Sequence, residues 1–336
     1  MSVVIAAPAE VWREPELPGL AMALNPEIAR KHFKRGLPKL SRDGKARLKA
    51  VRVIRLKQGR RCVLEYDLVV EFPGAPRHSV TLIGKTRARR SGNEGYRLQQ
   101  AIWDAAFSDH SPEGIAVPEP IGVISDFHMW FQRKVPGVTA DKLFGSPDAV
   151  VLARRIAEAI NKLHRAGVPT DKAHSIEGEL KILRECLLQV AQLRPEWSRR
   201  LEQLLAACKH LAATVPSPKL CGIHRDFYAS QVIVDGSRLW LIDFDLYCQG
   251  DPALDAGNFI GHITEQALRE RGRADAFIEV ERAMEDRFVE LSGLPRHAVR
   301  AYTNLTLARH IFLSTKFPER QHLSESILQL CEERLL

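Results

Sequence analysis

His224-Arg225-Asp226-Phe227-Tyr228-Ala229-Ser230-Gln231, followed a few residues on by Ile242-Asp243-Phe244-Asp245, is the stretch from which the rest of this chain is read. Polar side chains crowd here between apolar runs. Asp226 falls in a loop just after a short apolar strand that begins near Leu220. Downstream, Asp235-Gly236 is a two-residue hairpin signal between the apolar arms 231–234 and 239–244. Such a hairpin folds the chain back, so the carboxylates of Asp226 and Asp243 and the amide of Gln231 are expected to converge. Carboxylate and amide oxygens are the hard donors that Mg²⁺ takes, and Mg²⁺ completes its shell with phosphate oxygens and water.

On the N-terminal side of this segment the pattern is mostly that of strands. A helical patch at 25–33 precedes two runs, 51–56 and 62–72, in which apolar and polar residues alternate. Leu64, Tyr66 and Leu68 therefore share one strand face. Lys57 to Arg61 reads as the hairpin loop between the two. A third strand at 79–85 follows the turn signal Pro73-Gly74-Ala75-Pro76, and a helix at 94–107 carries Tyr96, Leu98, Ile102, Trp103 and Phe107 at helical spacing. Two more strands are expected at 121–125 and 129–135. Pro136-Gly137 breaks the pattern, and helical periodicity takes over at 147–166, 176–193 and 197–213, resuming after the hairpin to the C-terminus. The expected organisation is α+β: an antiparallel sheet with one helix over 1–136 and a larger, mainly helical domain over 137–336.

Composition narrows the class of protein. A chain of 336 residues with 45% apolar and 27% charged side chains has the material for two cores, and wholesale disorder is excluded. The net charge of +8 is uneven: from Asp251 onward 11 basic side chains face 14 acidic ones, so the positive excess lies in the front part. That suits anionic partners, but aromatic residues are not interleaved with the basic ones and no nucleic-acid-binding module is recognisable, so no nucleic-acid partner is expected. The six cysteines stand far apart without a Cys-x-x-Cys pair, which fits reduced thiols rather than a zinc ribbon or a disulfide framework. No apolar run approaches the ~18 residues of a membrane span, and the first ten residues lack a basic region ahead of an apolar stretch. A cytoplasmic protein without a membrane partner is the expectation.

The 224–245 segment resembles the catalytic loop and metal-binding hairpin of the aminoglycoside phosphotransferase and choline kinase family, relatives of the protein kinases. His224-Arg225-Asp226 followed by Gln231 keeps the spacing of the H-R-D-x-x-x-x-N loop, and Asp243-Phe244-Asp245 stands where kinases carry Asp-Phe-Gly. Ala-Glu-Ala-Ile-Asn-Lys-Leu-His at 157–164 and Asp251-Pro252-Ala253-Leu254-Asp255 match further elements of the family, so the likeness runs from about residue 51 to the C-terminus. It implies a bilobal protein-kinase-like fold, with a small antiparallel-sheet lobe for the nucleotide and a larger helical lobe for catalysis and the acceptor. The activity it implies is transfer of the γ-phosphoryl group of ATP, with Mg²⁺, to a hydroxyl of a small molecule such as an aminoglycoside, amino alcohol or sugar.

By the same resemblance Asp226 is the catalytic base or orienter of the acceptor hydroxyl. Gln231, Asp243 and Asp245 hold metal. Lys85, at the end of the third strand, contacts phosphate, and Glu94 on the next helix pairs with it. The loop around Gly59 covers the phosphates, and 130–135 forms the hinge against adenine. His224 supports the loop structurally and Asp255 braces it. The other histidines, His164 and His310 among them, read as packing or surface residues, and Cys221 and Cys248 as small buried hydrophobes.

Three departures from the kinase pattern bear on function. Gln231 replaces Asn and moves the amide oxygen by about one C–C bond, ~1.5 Å. The phosphate loop has Gly59 alone. No Ala-Pro-Glu follows Asp243, which argues against a protein substrate. The first two motivate an alternative, a catalytically silent kinase-like nucleotide-binding module, against which the intact Asp226 and Asp243 speak.

Overall fold

The computed structural model describes residues 3–41, 45–71, 76–88 and 92–336. Of the expected features, Phe72 and the turn residues Pro73-Gly74-Ala75 lie outside these. The chain forms two compact units, Met1–Pro136 and Gly137–Leu336.

In chain order the first unit contains β1 (Val4–Ala6), α1 (Leu20–Leu24), α2 (Pro26–Gly36), α3 (Pro38–Ser41), β2 (Lys45–Lys57), β3 (Arg61–Glu71), β4 (His78–Arg87), α4 (Gly92–Asp104), β5 (Ile115–Ala116), β6 (Pro120–Ile124) and β7 (Met129–Arg133). Six of these strands make one sheet in the order β1-β2-β3-β4-β7-β6. The expectation of a purely antiparallel sheet is corrected at its edge: β1 runs parallel to β2, with Val4 opposite Ala50, while the other neighbours are antiparallel. Three exposed residues carry no alternation by which the sequence could have shown this strand.

The sheet has more than its one expected helix α4: the helical patch expected at 25–33 is α2, and α1 and α3 were not foreseen. These three cover a sheet face, because alternation along β3 turns Cys62, Leu64, Tyr66, Leu68 and Val70 inward, each at most 2% exposed, and that surface needs a partner layer. Leu20, Leu24, Ala29 and Phe33 provide it. The helix α2 starts where Asn25 Oδ1 accepts the backbone N–H groups of Glu27 and Ile28, with Pro26 at the first helical position. Phe33 meets the Tyr66 and Phe131 rings edge-on at 5.0 and 5.3 Å. Each such pair adds about 1 kcal/mol beyond area burial.

The second unit contains β8 (Val138–Thr139), α5 (Ala149–Arg165), α6 (Ile176–Leu193), α7 (Ser198–Ala213), β9 (Cys221–Ile223), β10 (Val232–Asp235), β11 (Arg238–Leu241), β12 (Cys248–Gly250), α8 (Pro252–Arg271), α9 (Ile278–Ser292), α10 (Arg296–Thr315) and α11 (Ser324–Leu335). Here α8 is the spine. Asp251 caps it by accepting the Ala253 N–H at 2.9 Å, and its first four turns are buried almost all round. Helix α10 approaches it at backbone contact: a Cβ on Gly257 would stand 2.5 Å from Tyr302 Cβ, and one on Gly261 2.8 Å from Thr306 Cγ2.

The strands β10 and β11 form an antiparallel hairpin from Val232 opposite Leu241 to Asp235 opposite Arg238, and Gly236 takes φ 56 in the turn. Its second arm stops at Leu241 rather than at the expected 244. The cause is Asp243, whose backbone is left-handed (φ 66, ψ 59) and leaves the ladder. The short apolar strand expected before Asp226 is β9; its partner β12, with Cys248 opposite Ile223, carried no signal in the sequence. Among the described residues no helix is long and apolar enough to cross a membrane.

Candidate active site

The loop after β9 is held from below by one carboxylate. Asp255 is fully buried. Its Oδ2 accepts the backbone N–H of His224 at 2.8 Å and its Oδ1 that of Arg225 at 2.7 Å. His164, on α5, brings Nε2 within 2.8 Å of the same Oδ2. Reading His164 as a packing or surface residue is thereby corrected: it is part of the support of this loop. Its spacing on α5 gave no sign of a partner ninety residues away.

The hairpin is tied to the same loop through His224. Its Nε2 donates to the carbonyl of Ile242 at 2.9 Å, and its ring lies 5.0 Å from that of Phe244. His224 thus grips both neighbours of Asp243. Gln231 closes the other side, its carbonyl accepting the Ile242 N–H at 3.0 Å. Asp226, two residues after His224, and Gln231 are in this way anchored around the Asp243 turn.

Two side chains of this set have no hydrogen-bonding partner among the described residues. Gln231 is only 6% exposed, yet its side-chain amide bonds to nothing among the described residues. The Asp226 carboxylate, half-buried, is likewise without one. Asp245 lies in the 244–246 turn and is half-buried. Beside the loop, burial pushes the Cys221 thiol up to about 12 and the Cys248 thiol up to about 11, so neither is a reactive thiolate.

Three candidates lie in the first unit. Lys85 is on β4, on the face opposite the buried Leu82 and Gly84, and its Nζ stands 5.0 Å over the Trp130 ring. Glu94 is exposed in the first turn of α4. No ion pair joins the two: Trp130 occupies the space beside Lys85, so close to α4 that a Cβ on Gly95 would come within 2.6 Å of the indole Nε1. Gly59 has φ 63, and its backbone N–H donates to Glu14 Oε2 at 2.9 Å. A carboxylate therefore already takes the loop amide that the sequence reading offers to phosphate. In the expected hinge, Met129–Arg133 is the strand β7, paired on both sides, and the Lys134 N–H is bonded to the Thr81 carbonyl.

Residues 83–287 match the family model of the phosphotransferase enzyme family, APH. The chain belongs to that family. Solved structures agree on the fold of this APH-family protein. A glucosamine kinase superposes with a TM-score of 0.55 at 13% identity, over 95% of this chain and 98% of that one. An aminoglycoside phosphotransferase solved with ADP and hygromycin B gives 0.53 at 16% identity, over 86% and 94%. A choline/ethanolamine kinase family protein from Mesorhizobium loti gives 0.50 at 15% identity, over 91% and 93%. At these identities the likeness establishes the fold, which is that of the protein-kinase-like phosphotransferases. No curated protein matches the chain.

The APH-family protein also has residues around its loop that sequence reasoning did not single out. Asn258 donates to the Phe227 carbonyl at 2.9 Å and Arg309 to Asn258 Oδ1 at 2.7 Å. Asn258 lies one helical turn beyond Asp255, a spacing visible in the sequence. Arg309 had no such signal.

Proposed function

We propose that this phosphotransferase moves the γ-phosphoryl group of ATP to a hydroxyl of a small molecule, with Asp226 receiving or orienting the hydroxyl proton. The single observation that carries the assignment is that Asp226 and Gln231 have side chains without a hydrogen-bonding partner among the described residues, in a loop that Asp255 and Asn258 hold and that His224 ties to the hairpin. An acid kept free of internal partners can accept from a substrate hydroxyl; one consumed in a salt bridge cannot. In-line transfer depends mainly on positioning and on stabilising charge that shifts to the leaving oxygen.

Mg²⁺ fits the donor set. Gln231 offers an amide oxygen and Asp243 and Asp245 offer carboxylates, all hard ligands. When bound, the metal supplies charge neutralisation at the nucleotide phosphates. Lys85 is assigned to a phosphate as a point charge, and Glu94 is assigned to the nucleotide-binding unit without a pairing to Lys85. In this reading 1–136 binds nucleotide and 137–336 carries the base and the acceptor site. The solved relatives are named for glucosamine, choline or ethanolamine, and an aminoglycoside complex, compounds that join amines to alcohols; an amino sugar or amino alcohol is therefore the acceptor class proposed here.

The test is a screen of amino alcohols and amino sugars with Mg-ATP, reading ADP release and the mass of phosphorylated product, with Asp226→Ala as control. Product formation that falls by 10²-fold or more in the control is expected. Equal product from both proteins would remove Asp226 from the chemistry. Nucleotide binding without any turnover would select the silent-module reading instead.

A further inference from the structure

We propose that Asn258 and Arg309 are positioning residues that clamp the loop carrying Asp226 from its C-terminal side; the proposal rests on the phosphotransfer reading for its kinetic consequence, though not for its geometry. Asn258 is 1% exposed on α8. Its Nδ2 donates to the carbonyl of Phe227, the residue that follows Asp226, at 2.9 Å. Its Oδ1 accepts Arg309 Nη2 at 2.7 Å and Thr306 Oγ1 at 3.3 Å. Two donors on the oxygen fix which end of the amide is which, so the NH₂ group has to face the loop.

Asp255 and Asn258 are three residues apart on α8 and share a face. From that face Asp255 takes the amide of Arg225, before Asp226, and Asn258 takes the carbonyl of Phe227, after it. The base is held on both flanks by one helix. The Phe227 ring is fixed as well, 5.2 Å from the Phe259 ring.

Arg309 carries the restraint further. Its second arm, Nη1, reaches Glu179 Oε2 at 3.2 Å. The other oxygen of Glu179 is 2.6 Å from His174 Nε2, and the His174 backbone N–H bonds the Gln249 carbonyl at 2.8 Å. Helices α6, α10 and α8 are thus linked to one carbonyl beside the base. Catalytic groups work within about 0.5 Å of the productive geometry, and a displacement near 1 Å costs about 10²-fold. Neither residue belongs to the proposed metal ligands or touches Asp226, so the effect is through position.

Asn258→Asp tests this directly. It keeps the size and the pairing with Arg309 but turns a carboxylate oxygen toward the Phe227 carbonyl. We expect kcat to fall 10- to 100-fold with the KM for ATP within twofold and the melting temperature within a few degrees. Amide hydrogen exchange at 226–231 should quicken at least tenfold while β11 stays protected. Arg309→Met, at a half-buried position, is the second variant: with the amide free to turn over, a three- to tenfold loss in kcat and the same exchange signature are expected. Unchanged exchange at 226–231 in either variant, or kcat per folded enzyme within twofold of wild type, overturns the proposal. A wild-type chain that turns over no ATP with any acceptor defeats the phosphotransfer reading alone, because the exchange measurement still decides the clamp.

Discussion

Asp255 Oδ1 accepts the backbone N–H of Arg225 at 2.7 Å, and Arg225 is one of the few non-glycine residues with a left-handed backbone, at φ 68. Asp243 is another, at φ 66. Such a conformation costs roughly 1–2 kcal/mol per residue. A charge-assisted hydrogen bond inside a protein contributes about 1.5–3 kcal/mol, enough to hold Arg225 there. The loop bends where it does because a buried carboxylate accepts from two successive amides.

Replacing that carboxylate should therefore destabilise the chain. Asp255→Ala leaves the His224 and Arg225 N–H groups and the His164 Nε2 without their acceptor in a dry site, a loss on the order of 3–5 kcal/mol. Urea unfolding at neutral pH measures it. A change under 1 kcal/mol would mean that water or another group takes over.

Gln231→Ala separates metal binding from folding. The backbone bonds of Gln231 to Tyr228 and Ile242 remain, and its side chain has no hydrogen-bonding partner to lose among the described residues. The melting temperature should move by less than about 3 °C, while the Mg²⁺ concentration for half-maximal phosphotransfer rises about tenfold, the equivalent of ~1.4 kcal/mol. Metal dependence identical to wild type would take Gln231 out of the ligand set.

Glu14 predicts a gain of affinity. Its carboxylate holds the Gly59 N–H at 2.9 Å. If that loop covers the phosphates, Glu14→Ala frees a donor for the nucleotide and removes a like charge, and the KM for ATP should drop about two- to fivefold, the worth of one modest hydrogen bond. An unchanged KM would show that Gly59 does not meet phosphate.

Glu281 gives a pH signature remote from the loop. Desolvation raises its carboxyl from 4.5 to about 7, with Glu285 and Asp275 adding to the rise, against the Thr264 hydroxyl and Arg334, which lower it. The raised value means that the folded chain binds the proton more tightly than the unfolded one. Its stabilising contribution is complete below pH 4.5, declines as pH rises, and is lost above 7. The size is on the order of 3 kcal/mol. Protonated Glu281 fits the site: Thr264 Oγ1 lies 2.7 Å from Glu281 Oε1 and 3.2 Å from the Ile260 carbonyl, so the hydroxyl can accept from one and donate to the other. Unfolding free energies of wild type and Glu281→Gln at pH 5 and pH 8 check this. The wild type should lose stability relative to the variant across that interval; parallel curves would refute the shift.

The linear order of residues was sufficient for the family likeness, for the β10–β11 hairpin and for the break at Pro136-Gly137, because each is a local pattern: a motif at fixed spacing, a turn dipeptide between apolar arms, a change of periodicity. It also set Asp226, Gln231 and Asp243 within one short segment. What only tertiary structure decided is which groups those residues meet. Trp130 stands beside Lys85 where the sequence suggested Glu94, Glu14 occupies the Gly59 amide, and His164 and Arg309 reach the residues that hold the loop, Asp255 and Asn258, from helices distant in the chain. The reason is physical. Strand and helix periods register only which face of an element is apolar, whereas the pairing of a buried polar atom depends on how the elements pack, and each such atom must find its partner among whatever the packing brings near.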